Sequence, residues 1–238
     1  MNREKSIVAL LEQAKKDLPI IEEQYKNALQ QQHIPDSLKI AVKRFVGDIR
    51  SALDYIAHDV YDKYSGASKD ERGVYFPIDP KPGMFVKNAS KKFPNLDTSN
   101  PALFNYLVDL QPDKAPENKW LLDLNEVNND SKHHDLTEQV KKESQRVTVT
   151  VQDTISMRDG VSMSWTPANV KFGKGVSIGG VPIDPVTQMP VPDSRAKVEK
   201  VTWVDFRFKD IDVSALNLMK TSVDGVEKIL TDVKKLIN

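Results

Sequence analysis

The chain has no cysteine, which excludes disulfides, thiolate nucleophiles and cysteine-ligated zinc together. It also lacks net charge: 34 lysines and arginines balance 34 aspartates and glutamates. No global field therefore draws in nucleic acid or anionic lipid, although a local basic patch remains compatible with this balance. Long hydrophobic runs are missing too. Arg3, Glu4 and Lys5 precede a short apolar run, Ile7 to Leu11, which Glu12 ends. That is too short for a secretory leader, and nothing later approaches the roughly 20 apolar residues of a membrane span. The expectation is a cytoplasmic chain with no membrane partner. Walker, dinucleotide-fingerprint, nucleophile-elbow and kinase motifs are absent. Gly173-Lys174-Gly175 and Gly179-Gly180 precede no helix, so they make a poor phosphate cradle.

Amphipathic helices dominate both ends. Ile7, Leu11, Ala14, Leu18, Ile21 and Tyr25 alternate at spacings of four and three, giving one buried stripe. Pro19 lies inside this pattern and predicts a kink or a new helix. Pro35 then breaks the chain, and Asp36 is the expected N-cap of a second helix. Its stripe is Leu38, Val42, Phe45, Ile49, Ala52, Ile56 and Val60. A last stripe runs from Leu216 through Met219, Val223, Val226, Leu230 and Val233 to Ile237, with Asp212 as its expected cap. Three such helices most simply form a bundle.

The middle changes period. Residues 66–118 hold seven prolines and read as ordered loop with short elements, including a helix around Ala102 to Leu110. From Arg146 the period becomes two, with Val147, Val149 and Val151 alternating with polar residues. Asp159-Gly160 signals a hairpin whose return carries Val161, Met163 and Trp165. Val201 to Phe208 repeats the two-residue period, and the glycine- and proline-rich Gly173 to Ser194 between them reads as a long mobile or edge-capping loop. Trp165, Phe172, Trp203, Phe206 and Phe208 are expected to pack the sheet against helices rather than to stack on bases. The fold class is α+β: an antiparallel helical bundle with a small antiparallel sheet inserted before the C-terminal helix. We read residues 1–238 as one domain, the bundle being 1–145 plus 212–238 and the β-rich insertion 146–211.

Two segments carry the chemistry. On the second helix the apolar sector spans an arc of about 100° at 100° per residue. Val46, Ala57, Tyr61 and Tyr64 extend it on one side. Arg50 falls inside that extension, with Asp54 at its edge and His58 just beyond, while Tyr55 belongs to the opposite, wet face. An arginine in an apolar sector needs a partner if buried. Asp54, one turn on, is the nearest, although Arg50 could instead face a cleft or a second subunit and hold phosphate there. The other segment is Asn125 to Thr137, NEVNNDSKHHDLT, following the apolar Trp120, Leu121, Leu122 and Leu124. His133 and His134 are adjacent and project about 100° apart on a helix, so they do not share a metal; no metal and no cofactor is expected. A histidine has a suitable ordinary pKa for general acid–base work, with Asp130 or Asp135 to orient it. Lys132 and His133 could instead join Arg50 around a phosphate. The plain alternative is a polar helix end whose asparagines, Asn129 among them, cap backbone groups.

IRSALDYIAHDV, YFPID, LQPDK and LNEVNNDSKHH follow one another in an order that resembles a family of uncharacterised bacterial helical proteins of the wider HEPN group. The likeness covers roughly residues 48 to 135. It implies a homodimer in which arginine and histidine of an R-x(4–6)-H motif meet in a cleft, and in active members cleave RNA without metal. Arg50 matches the arginine; the position five residues on holds Tyr55, and His58 lies eight residues on. The aspartate–lysine–histidine piece reads Asp130-Ser131-Lys132-His133-His134 here.

Two readings stay open. One is a HEPN-like protein acting on or binding RNA in a bacterial defence or toxin system, with Arg50 and His133 central, Tyr55 and His58 as further catalytic candidates, and Asp54, Asn129, Asp130, Lys132 and His134 binding. The other is a catalytically silent bundle that binds a protein partner or a small ligand.

Overall fold

The computed structural model describes residues 1–31, 33–65, 73–81, 83–133, 138–151, 161–165 and 170–237. It is a mixture of helix and small antiparallel sheets, and it divides into two compact units, Met1–Val140 with Phe206–Asn238, and Lys141–Asp205. The seams lie somewhat earlier in the chain than the composition change at 146–211 suggests.

The first unit is built on helices α1 (Glu4–Gln31), α2 (Asp36–Tyr64), α3 (Phe85–Lys92), α4 (Leu96–Ser99), α5 (Pro101–Asp109), α6 (Lys119–His133) and α7 (Ala215–Ile237). α1 runs unbroken through Pro19, so no new helix begins there. Its stripe packs on α2, and Ile7, Leu11, Ala14, Ile21 and Tyr25 are all buried. α2 lies centrally, touching α1, α6 and α7, and buries residues on most of its circumference. Pro35, not Asp36, occupies its N-cap; Asp36 sits in the first turn and pairs with Lys39 at 3.0 Å. α7 likewise is not capped by Asp212. Asp212 has a left-handed φ of 48° and accepts a bond from Arg207 Nε at 2.7 Å. The Asn217 N–H at α7's start instead donates to Ser214 Oγ at 3.2 Å. In both cases the expected aspartate is displaced from the N-cap by the local backbone path, Asp36 into the first turn and Asp212 into a left-handed conformation before Val213.

The second unit has its own core: Val147, Val149, Val151, Trp165, Ile178, Val181 and Ile183. Strand β1 (Gln139–Val151) pairs antiparallel with β2 (Val161–Trp165) in the register Val147 to Trp165 and Val151 to Val161. Thr148 and Thr150 lie opposite Ser164 and Ser162, with hydroxyls 2.8 and 3.1 Å apart, which is the wet face expected from the alternation. The stretch expected as a loop at Gly173 to Ser194 is ordered instead. It contains strands β3 (Ser177–Ile178) and β4 (Val181–Pro182) joined by Gly179 and Gly180, whose φ values of 54° and 78° suit a two-residue hairpin turn. Its Ile178, Val181 and Ile183 fill the core, an apolar contribution that the glycine and proline content conceals. Strand β5 (Ala196–Phe208) follows β1 in the sheet, and within the first unit its last residues pair with β6 (Val213–Ser214).

The aromatics pack inward. Trp165 meets Phe172 edge-on at 5.0 Å in the second unit, and Phe206 stacks on Tyr25 at 5.1 Å in the first. The Trp203 side chain and the Asp159-Gly160 turn lie outside the described residues.

Candidate functional site

Arg50 is buried, with its side chain 8% exposed, and lies on the face of α2 turned to the segment 74–79. Its Nη2 pairs with Asp54 Oδ1 at 3.1 Å and donates to the Phe76 carbonyl at 3.3 Å. Asp54 Oδ1 also accepts from the Phe76 N–H at 2.8 Å. One ion pair thus satisfies both backbone groups of a buried phenylalanine, which explains how an arginine can sit in an apolar sector. Burial pushes the Arg50 pKa down from its ordinary value, against the opposing charge of Asp54.

Gln111 fastens the same segment from the other side. The fully buried amide accepts from the Asp79 N–H at 3.0 Å and donates to the Pro77 carbonyl at 3.2 Å and to the Leu107 carbonyl at 3.0 Å. Phe76 is therefore held through both its backbone groups by α2, and Pro77 and Asp79 by Gln111, two residues past the end of α5. They form a fixed wall.

Behind that wall is a cavity of about 430 Å³. Arg50, Asp54 and Phe76 line it together with Lys92 from α3 and Asn125, Asn128 and Asn129 from α6; Tyr75 and Ile78 complete its rim. Four sequence segments that are separate in the chain, around 50, 76, 92 and 127, converge here. The Arg50 Nη1 is buried and has no hydrogen-bond partner among the described residues. A guanidinium donor in that condition costs about 1–3 kcal/mol when nothing receives it, and more when charged. Of the three lining asparagines, Asn128 is buried, Asn125 half-buried and Asn129 exposed. Two cations, one of them neutralised by Asp54, and three amides make an environment for an anion with several oxygens.

Of the residues singled out from sequence, Arg50, Asp54 and Asn129 meet at this cavity. Asp130 lines a second cavity on the next arc of α6. Tyr55 is 37% exposed and lines neither. His58 is half-buried on α2 and lines neither, with its Nδ1 buried and unpartnered among the described residues. α6 ends at His133, one turn past Asn129; the side chains of Lys132 and His133, and the whole of His134, lie outside the described residues. Lys92, Asn125 and Asn128 are additions to the sequence-derived set. The two asparagines lie in the segment already marked as polar, whereas nothing in the sequence distinguishes Lys92 from the lysines around it. Among the described residues no group of three or more His, Asp or Glu could hold a metal ion, and no helix is long and apolar enough to cross a membrane.

Compared with protein-family models, with curated proteins and with solved structures, the chain finds no match in any of the three.

Proposed function

We propose that the chain is a HEPN-like helical-bundle module that binds a small phosphate-bearing ligand and is catalytically silent. The carrying observation is the Arg50 guanidinium, fixed through Nη2 to Asp54 and to the Phe76 carbonyl, in the lining of a cavity that also holds Lys92 and three asparagines. Binding of an anion calls for fixed donors and an excess of positive over negative charge in the lining, and Arg50, Lys92 and the three amides against the single carboxylate Asp54 support this reading. Phosphodiester cleavage would further require a base within hydrogen-bond reach of the attacking hydroxyl. The described lining of the cavity contains no histidine, and Asp54 is committed to Arg50 and Phe76. A bacterial RNA-acting role keeps one supporting feature, the position of His133 one turn beyond Asn129.

Calorimetric titration with inorganic phosphate tests this reading. Wild type should bind with a dissociation constant of about 1 mM or tighter, and Lys92→Ala should weaken binding about tenfold. Absence of heat and of any thermal shift at tens of millimolar phosphate would sink the binding role. Cleavage of RNA by pure wild type, lost in His133→Ala, would instead overturn the catalytic silence.

A further inference from the structure

The second cavity, about 520 Å³, lies on α6 beside the first and shares Asn125 and Asn129 with it as a common wall. Its character is opposite. Leu122, Phe208 and Ile211 give it apolar faces, and Glu126, Asp130 and Asp210 give it three carboxylates. Among the described residues no lysine or arginine lines it. Helix geometry explains the division. Leu122, Glu126 and Asp130 follow one another at four-residue spacing on one stripe of α6. Asn125 and Asn129 form the adjacent stripe, and Asn128 the next, so the lining turns from acidic to amide to arginine-facing around one helix.

A ligand that uses both cavities needs an anionic end for Arg50 and Lys92, and a body with apolar faces for the other side. That body must also carry N–H donors at its edge, because a carboxylate accepts and never donates when ionised. Hydroxyl groups between the two ends would suit the shared asparagine amides, which both donate and accept. Each cavity falls within the size range of small-molecule sites. We infer that the ligand is a nucleoside monophosphate whose base presents adjacent N–H donors, with guanine the best match. Guanine's ring N–H and exocyclic amine lie side by side and fit the two oxygens of one carboxylate. Uracil sets its single N–H between two carbonyls, which a carboxylate repels. This inference rests on phosphate binding at Arg50.

The test is calorimetry of the full chain with inorganic phosphate, guanosine 5′-monophosphate and uridine 5′-monophosphate, on wild type, Asp130→Asn and Asp210→Asn. Circular dichroism should show both variants folded, since Asp130 is half-buried and Asp210 exposed. Guanosine monophosphate should bind at least about tenfold tighter than phosphate and than uridine monophosphate, the size of effect a good bidentate base contact gives. At least one of the two variants should lose about tenfold for guanosine monophosphate and leave phosphate affinity unchanged. If phosphate binds and the two nucleotides bind no tighter, or bind equally, the base site is wrong while phosphate binding stands. If the nucleotide preference survives in both variants, the carboxylates do not read the base and the inference fails. If neither phosphate nor nucleotide binds, both the inference and the function beneath it fail.

Discussion

At the residue scale, the most consequential contact is the one between Arg50, Asp54 and Phe76. Removing Asp54 would leave a buried cation without its counter-charge and the buried Phe76 N–H without the Asp54 oxygen it donates to. Breaking a buried pair from one side costs about 3–5 kcal/mol, far more than the exposed version of the same spacing. We therefore expect Asp54→Ala to lower unfolding free energy by about that amount in urea denaturation. The double change Asp54→Leu with Arg50→Met, which removes both charges, should cost clearly less. A loss below about 1 kcal/mol for the single change would mean that the pair behaves as a surface ion pair. The Arg50–Asp54 partnership was legible from the four-residue spacing and the apolar sector around it. Its reason was not, because Phe76 stands 22 residues beyond Asp54 and nothing local links them. The same holds for Gln111, an ordinary glutamine in sequence whose amide closes three backbone bonds in the fold.

At the scale of elements, α7 and α6 approach so closely that a side chain at Gly225 would enter the Trp120 indole, with an added Cβ 2.6 Å from Cε2. Trp120 is buried and has little room to retreat. Alanine normally gains about 1 kcal/mol over glycine within a helix, while overpacking a filled core costs about 1–3 kcal/mol. The steric effect wins at this position, so Gly225→Ala should lower the melting temperature. Gly47 on α2 is the control: beyond its own turn of helix, no atom of the described residues lies within 4 Å of its added Cβ, and Gly47→Ala should raise the melting temperature. A rise at both positions would show that α6 and α7 yield freely. The contrast also shows what periodicity reveals. The stripes of α1, α2 and α7, the short helix at Pro101–Asp109 and the β1–β2 alternation follow from local spacing. Which helix presses on a glycine, or that a glycine-rich stretch folds as a small hairpin with three core residues, depends on partners distant in the chain.

At the scale of the whole molecule, the equal counts of acids and bases are spent partly on pairs that join remote parts of the first unit. Lys234 pairs with Glu4 at 2.5 Å, Lys15 with Glu227 at 2.5 Å and Lys220 with Glu22 at 3.2 Å, all linking α1 to α7. The Lys234 bond holds the Glu4 carboxyl below its ordinary value, and the Lys228 bond does the same for Asp232. A carboxylate depressed in the folded state contributes stability above its unfolded pKa and loses it as pH falls through the folded value. Stability should therefore hold through neutrality and decline once pH drops below about 4.5. Lys234→Ala should shift part of that decline away, and added salt should shallow it, because these pairs are exposed. Tyr106 supplies the opposite limb. Burial first, and then the charge and the accepting oxygen of Asp232 at 3.2 Å, push its phenol well above the ordinary tyrosine value. A raised folded pKa contributes stability that is complete below the unfolded value near 10 and is lost as pH climbs past it. Melting temperatures measured from pH 9 to 11 should fall in wild type, and Tyr106→Phe should fall less steeply even though it loses the bond to Asp232. Parallel alkaline limbs in the two proteins would show that the phenol ionises as freely in the folded chain as in the unfolded one.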